Sequence, residues 1–245
     1  MPSPAPTPSG SARSFSLAIA GSGGAGVMTA GTLLLDAAAR AGLYGLMVRT
    51  SGPQIRGGEA AALLRLATRP VATLDDRFDV LLAIDWQNLN RFGDEIPIGA
   101  GSLLVGDSDA GEAPEVFLRQ GARLHALPLK KTAKAAGGGW VNMVALGLAG
   151  TLAGLPAAAL EEALRASWKR SAEALASNLA ALQQGIALAN GLPGERPAPL
   201  EGTALPGGRA RWLLSGNEAA GCGALRGGVR VVAAYPITPA TKLLE

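Results

Sequence analysis

The stretch FSLAIAGSGGAGVMTAGTLLLDAAAR, residues 15–40, decides the fold. It opens with an apolar run of strand length, residues 15–20, and passes at once into the glycine-rich turn of residues 21–26. Met28, Leu33, Leu34 and Leu35 then recur among alanines over residues 27–40, with Gly42 just beyond, which predicts a helix with a glycine stop. A strand, a glycine turn and a helix are the opening unit of an open α/β sheet. Such a turn lets backbone N–H groups approach an anion at the positive end of the helix.

Working outward, residues 46–49 and 60–66 read as two further strands, separated by the glycine-containing loop of residues 50–58. Residues 80–84 and 103–105 are continuous apolar runs, as in strands buried on both faces of a parallel sheet, and Asp85 and Asp107 follow them. Residues 124–127 give one more short strand. The expected architecture is α/β, with an open, mainly parallel sheet flanked by helices and ligands at the carboxyl ends of its strands. After Pro156 an apolar stripe through Leu160, Leu164, Trp168, Ala172, Leu175, Leu179, Leu182 and Ile186 predicts one long helix. Residues 191–211, with Pro193, Pro197, Pro199, Pro206 and several glycines, read as a linker between a domain at 15–190 and a second unit at 212–245. In that unit GNEAAGCGALRGG predicts a helix, VRVVAA a strand, and YPITPATKLLE a turn opening another helix; it is too short to bury a core unaided.

Composition removes several classes. The 245 residues include one Cys (Cys222) and one His (His125), which excludes a disulfide scaffold, a structural zinc site and an iron–sulfur cluster held by this chain. A net charge of +3 is too small to imply polyanion binding in general, and Lys130, Lys131 and Lys134 lack interleaved aromatics, so they read as a solvated loop and not as a nucleic-acid patch. Residues 1–14 have no apolar core and read as a disordered tail, not a signal peptide. The charge-free segment of residues 135–160 has Gly150 and Gly154 at membrane-contact spacing, but a helix from Trp140 to Pro156 would span only about 24 Å, short of a bilayer. No membrane span and a cytoplasmic location are expected.

Two constellations carry the chemistry. Gly21, Gly23, Gly24 and Gly26 satisfy the dinucleotide spacing, yet the second strand ends Val48, Arg49, Thr50, Ser51 with no acid to hold a ribose; Arg49 leaves NADP open. The loop SGPQIRGG, residues 51–58, presents Arg56 beside flexible backbone, suited to a carboxylate or phosphate, or else to pairing with Glu59 or Asp85. His125 reads as structural, and Cys222 as a packing residue among glycines.

The segments GSGGAGVMTAGTLL (21–34), SGPQIRGGEAAALLRL (51–66), VNMVALG (141–147) and SAEALASNLAALQQG (171–185) together resemble the gamma domain of 2-oxoacid:ferredoxin oxidoreductases. SGNEAAGCGALRGGVRVVAAYPITPATKLLE (215–245) resembles the start of the alpha domain of the same enzymes, in the order of the fused alpha subunit, with YPITP after GNEA as the most specific motif.

The resemblance implies oxidative decarboxylation of a 2-oxoacid on thiamine diphosphate, with electrons passing through iron–sulfur clusters to ferredoxin and the acyl group passing to coenzyme A. The cofactors supply the hard chemistry and the protein orients it. By position it implies that Gly23, Gly24 and Gly26 of the turn and Ser51, Arg56 and Gly57 of the loop help form the coenzyme A site. Thr238 is placed near thiamine and substrate, where its hydroxyl would donate to the substrate carboxylate. The second unit is then the incomplete start of an α/β thiamine pyrimidine-type domain. The glutamate that activates thiamine would lie beyond Glu245, and the cluster cysteines and diphosphate ligands on a beta subunit, so the chain alone is expected to be inactive. The fused order favours 2-oxoglutarate as substrate, with indolepyruvate oxidoreductase as a near relative in the class. The competing expectation is an NADP- or nucleotide-binding α/β scaffold module without redox activity.

Overall fold

The computed structural model describes residues 14–52, 58–200, 211–235 and 241–244. Contacts divide the chain into two units, Met1–Arg211 and Trp212–Glu245. The first is built on a six-stranded sheet of β1 (Ser14–Ser22), β2 (Tyr44–Ser51), β3 (Glu59–Ala67), β4 (Val80–Ala83), β5 (Leu103–Asp107) and β6 (Arg123–Leu127). Their order is β2-β3-β1-β4-β5-β6. β4 and β5 are buried throughout, which is why their sequences run apolar without alternation. β1, β4, β5 and β6 pair in parallel. β3 alone runs against the rest, inserted between β1 and β2 with Ile19 opposite Ala62 and Val48 opposite Leu63. β2 and β3 therefore form a hairpin, whose tip is the loop after Ser51.

Helix α1 (Val27–Arg40) follows β1 directly and buries Leu33, Leu34 and its alanines. Next come α2 (Glu115–Leu118), α3 (Leu129–Ala135), α4 (Val141–Leu152), α5 (Ala157–Ser167) and α6 (Ala172–Asn190). The charge-free segment becomes α4, a 12-residue helix with nearly every residue buried. Its partner is α6, and the contact is backbone on backbone: a Cβ on Gly147 would lie 2.1 Å from the Leu182 carbonyl, and one on Gly185 would lie 2.1 Å from that of Val144. Among the described residues no helix is long and apolar enough to cross a membrane.

Two expectations are corrected here. The stripe after Pro156 is not one helix: Trp168 is extended, and Ser171 starts α6 by accepting the Ala174 N–H at its side chain. Periodicity carried the apolar pattern across the break, but the serine cap sets a new start. In the second unit α7 (Gly216–Arg226) forms, closed by a capping box in which Ser215 and Glu218 each accept the other's backbone N–H. The strand expected at VRVVAA is absent: residues 229–234 are not in a ladder, and Val231 is 85% exposed. A four-residue helix, α8 (Thr241–Leu244), ends the described chain.

The proline-rich segment meets the first unit at each described end. Leu200 is buried and donates its N–H to the Ala153 carbonyl. Arg211 donates to the carbonyls of Ala39 and Gly42 and lies 3.5 Å above the Tyr44 ring.

Candidate functional site

The two glycine-containing segments singled out in the sequence meet at the carboxyl end of β1. Gly23 donates its N–H to the Gly58 carbonyl, joining the glycine turn to the far end of the hairpin loop. Across the base of that loop Gly52 donates to the Glu59 carbonyl at 2.8 Å. Gly23, Gly24 and Ser51 are exposed along this wall. Arg56 and Gly57 lie outside the described residues, as does Thr238.

The turn is held from three sides. Asp85, at the end of β4, accepts the Ser22 N–H at 3.0 Å and the Ser22 hydroxyl at 2.7 Å. Gly26 precedes α1 at φ 84, a conformation costly for any residue with a Cβ, and a Cβ there would overlap the Asn142 side chain. Asn142, buried in the first turn of α4, donates its amide to the Gly26 carbonyl at 3.2 Å. The first turn of α1 has no side-chain cap and no acidic residue, so its positive end faces outward uncompensated.

The loop base is braced by charge. Buried Glu59 takes Arg91 at 3.0 Å, and Arg91 also lies 3.8 Å from Glu95, which accepts the Thr50 hydroxyl at 2.7 Å. Its own backbone N–H first, then the Arg91 guanidinium, hold the Glu59 carboxyl below the usual range. Asp85 and Glu59, the two acids that could pair with Arg56, thus both have described partners. Asp107 is equally structural: it accepts the N–H groups of Asp109 and Lys130.

Opposite the glycine turn, α3 supplies residues that the sequence reading missed. Lys130 and Lys134, one helical turn apart, line an open cleft of about 650 Å³ with Gly24, Gly26 and Asn142. Lys131 points elsewhere and pairs with Asp109 at 3.0 Å. The three lysines are therefore not one solvated loop: two of them face the glycines. Their i, i+4 spacing was the available signal, and Asn142, a lone amide in an apolar run, was another.

Arg49 is misplaced for a dinucleotide. In such folds the second strand adjoins the first, whereas here β3 separates β2 from β1, and Arg49 reaches the Thr32 hydroxyl on α1 at 3.5 Å. The topology disfavours the NADP reading. His125 is half-buried in β6, and Cys222 is exposed on α7, which corrects its reading as a packing residue.

The fold and this cleft define an α/β domain with an open cleft, lined by a glycine turn and two lysines, at the carboxyl edge of its sheet. Residues 16–188 match the family described as pyruvate ferredoxin/flavodoxin oxidoreductase, and the chain belongs to that family. A 2-oxoglutarate:ferredoxin oxidoreductase from Magnetococcus marinus, solved with 2-oxoglutarate, coenzyme A and succinyl-CoA bound, is 32% identical with a TM-score of 0.81 over 95% of this chain. This chain spans 40% of that one. The keto/oxoacid ferredoxin oxidoreductase gamma subunit from Geobacter sulfurreducens is 25% identical, TM-score 0.58, over 73% of this chain and 97% of its own. A pyruvate oxidoreductase subunit from Thermotoga maritima, 20% identical with a TM-score of 0.56 over 71% of this chain and 95% of its own, shares the fold. Curated proteins gave no match.

The residues present do not fit an iron–sulfur cluster. One cysteine cannot supply the roughly four thiolates a cluster needs, and no group of three or more His, Cys, Asp or Glu among the described residues is placed to hold a metal ion.

Proposed function

We propose that this chain supplies the gamma-type part, and the start of the alpha-type part, of a 2-oxoacid:ferredoxin oxidoreductase, with 2-oxoglutarate as substrate. In the overall reaction the bond between the 2-carbon and the carboxylate breaks to release CO2. The acyl carbon gains a thioester to coenzyme A, the thiol proton is released, and two electrons pass to ferredoxin. Thiamine diphosphate and the iron–sulfur cluster belong in this reading mainly to a beta subunit, and none of them is held by this chain alone. The role of this chain is to bind and orient coenzyme A.

The observation that supports the coenzyme role is the hydrogen bond from Gly23 to Gly58, which ties the glycine turn to the described end of the SGPQIRGG segment. Gly23, Gly24 and Gly26 offer backbone at the positive end of α1, and Ser51, Arg56 and Gly57 are assigned to the same coenzyme site. Lys130 and Lys134 add charge from the facing helix. Thr238 is assigned to the substrate carboxylate.

The test is Arg56→Ala in the complete enzyme. The KM for coenzyme A should rise about tenfold, the loss of one charge-assisted contact, while the KM for 2-oxoglutarate stays unchanged. An unchanged KM for coenzyme A removes Arg56 from the site.

A further inference from the structure

A second cleft, of about 450 Å³, adjoins the first, and Thr29 and Trp140 line both. Its walls combine two chemistries. Trp140 and Trp168 present tilted indoles with ring centroids 5.4 Å apart. Around them stand three exposed cations, Arg49 from β2 and Lys169 and Arg170 from the break between α5 and α6. The Arg170 guanidinium lies 5.0 Å from the Trp140 ring centroid. Among the described residues none of the three cations is in an ion pair, and no carboxylate lines the cleft.

The fold places these groups deliberately. The Trp140 backbone N–H donates at 2.9 Å to the amide oxygen of buried Asn178 on α6. The Trp168 indole N–H donates at 3.0 Å to the carbonyl of Ser171, the residue that caps α6. The helix break that interrupts the apolar stripe is therefore what brings Trp168, Lys169 and Arg170 to one rim.

Three unbalanced positive charges disfavour a cation or a purely apolar ligand, while two indoles offer little to a bare anion. A flat aromatic ring that carries several negative charges satisfies both halves, by stacking and by charge-assisted hydrogen bonds. We propose that this cleft binds the base and phosphates of a purine nucleotide. The ligand is either the nucleotide end of coenzyme A, reaching past Thr29 from the glycine turn, or a free nucleotide bound alongside it. The first source rests on the coenzyme A reading above, and the second does not.

The test is titration of the purified full-length protein with adenosine 3′,5′-bisphosphate, followed by tryptophan emission. Saturable quenching that weakens with added salt is expected. Arg49→Glu and Lys169→Glu, exposed positions that leave packing intact, should each weaken binding by about tenfold or more, as should Trp140→Leu. Adenosine without phosphates should bind at least about tenfold more weakly. Coenzyme A displacing the bisphosphate one for one, with the same variants weakening both, assigns the cleft to the coenzyme; simultaneous binding of the two assigns it to a free nucleotide. Unchanged affinity in both charge reversals, or no binding of the bisphosphate, overturns the proposal. If those variants change nothing while Arg56→Ala raises the KM for coenzyme A, only the coenzyme reading stands. If the bisphosphate binds as described and coenzyme A does not bind, only the cleft stands.

Discussion

Two short segments that both read as strands in the sequence meet opposite fates in this chain. VLLA, residues 80–83, is β4: Leu81 pairs with Ala18 on one side and Leu104 on the other, and the strand is wholly buried. VRVV, residues 229–232, has no ladder partner among the described residues, and Val231 and Val232 are 85% and 62% exposed. The contrast isolates what a strand requires. β-propensity describes a fit to a pleated, half-buried surface, and without a neighbouring strand it has nothing to act on. A helix satisfies its own backbone, so α7 forms in the same unit with no buried residue, on the strength of its capping box.

The sharpest way to break this comparison is a pair of truncations measured by urea unfolding. Leu82→Ala in β4 should cost about 2–5 kcal/mol, because the side chain is fully buried and leaves a cavity. Val231→Ala should fall within about 0.5 kcal/mol. Equal costs would mean that residues 229–232 are packed after all.

Gly147→Ala tests the first unit's packing away from the sheet. The added methyl meets the backbone of Leu182 and of Ile186, which cannot swing aside as a side chain would, so about 1–3 kcal/mol of destabilisation is expected in the same assay. A neutral result would show that α4 and α6 can slide apart freely.

In the second unit Ser215→Ala removes the cap on which α7 depends and should cost about 1 kcal/mol locally. Amide exchange in the helix should then accelerate about fivefold with the sheet amides unchanged. Acceleration in β1 and β4 as well would mean that the two units open together.

The smallest effect concerns the hairpin base. Glu59→Gln should lower Tm at neutral pH by about 2–4 °C, for a loss of about 1 kcal/mol. Because the folded-state carboxyl lies below its ordinary value of 4.5, the stabilisation is complete above that pH and disappears as pH falls through the folded value. The gap between variant and parent should close over that acid range. A gap that persists there would assign the effect to packing and not to the ion pair with Arg91.

Much of the first unit was legible because its signals are local. The glycine turn, α1 and the apolar runs of β4 and β5 each announce themselves within a few residues. What stayed hidden depends on distant partners. An apolar run does not say whether its neighbour is parallel, so the insertion of β3 between β1 and β2 was invisible, and with it the misfit of Arg49 to a dinucleotide. The break at Trp168 was masked because the stripe continues in phase across it. Lys130 and Lys134 looked like a solvated loop because nothing in their own neighbourhood shows that α3 faces the glycines. Asp85 and Asp107 follow strands as expected, but only the structure shows them accepting backbone N–H groups.

The antiparallel insertion also separates short-range from long-range strand pairing. Ser51 meets Ala60 and Tyr44 meets Ala67 within one short hairpin, whereas β1 must find β4 with Leu17 opposite Val80. Closing the shorter loop costs less chain entropy, so the hairpin can form first and offer β3 as the template on which β1 docks. The Gly23–Gly58 bond continues the β1–β3 ladder one residue past the Ser22–Glu59 pair, so the meeting of the glycine turn with the end of the hairpin loop is fixed by strand register and not by the loops themselves.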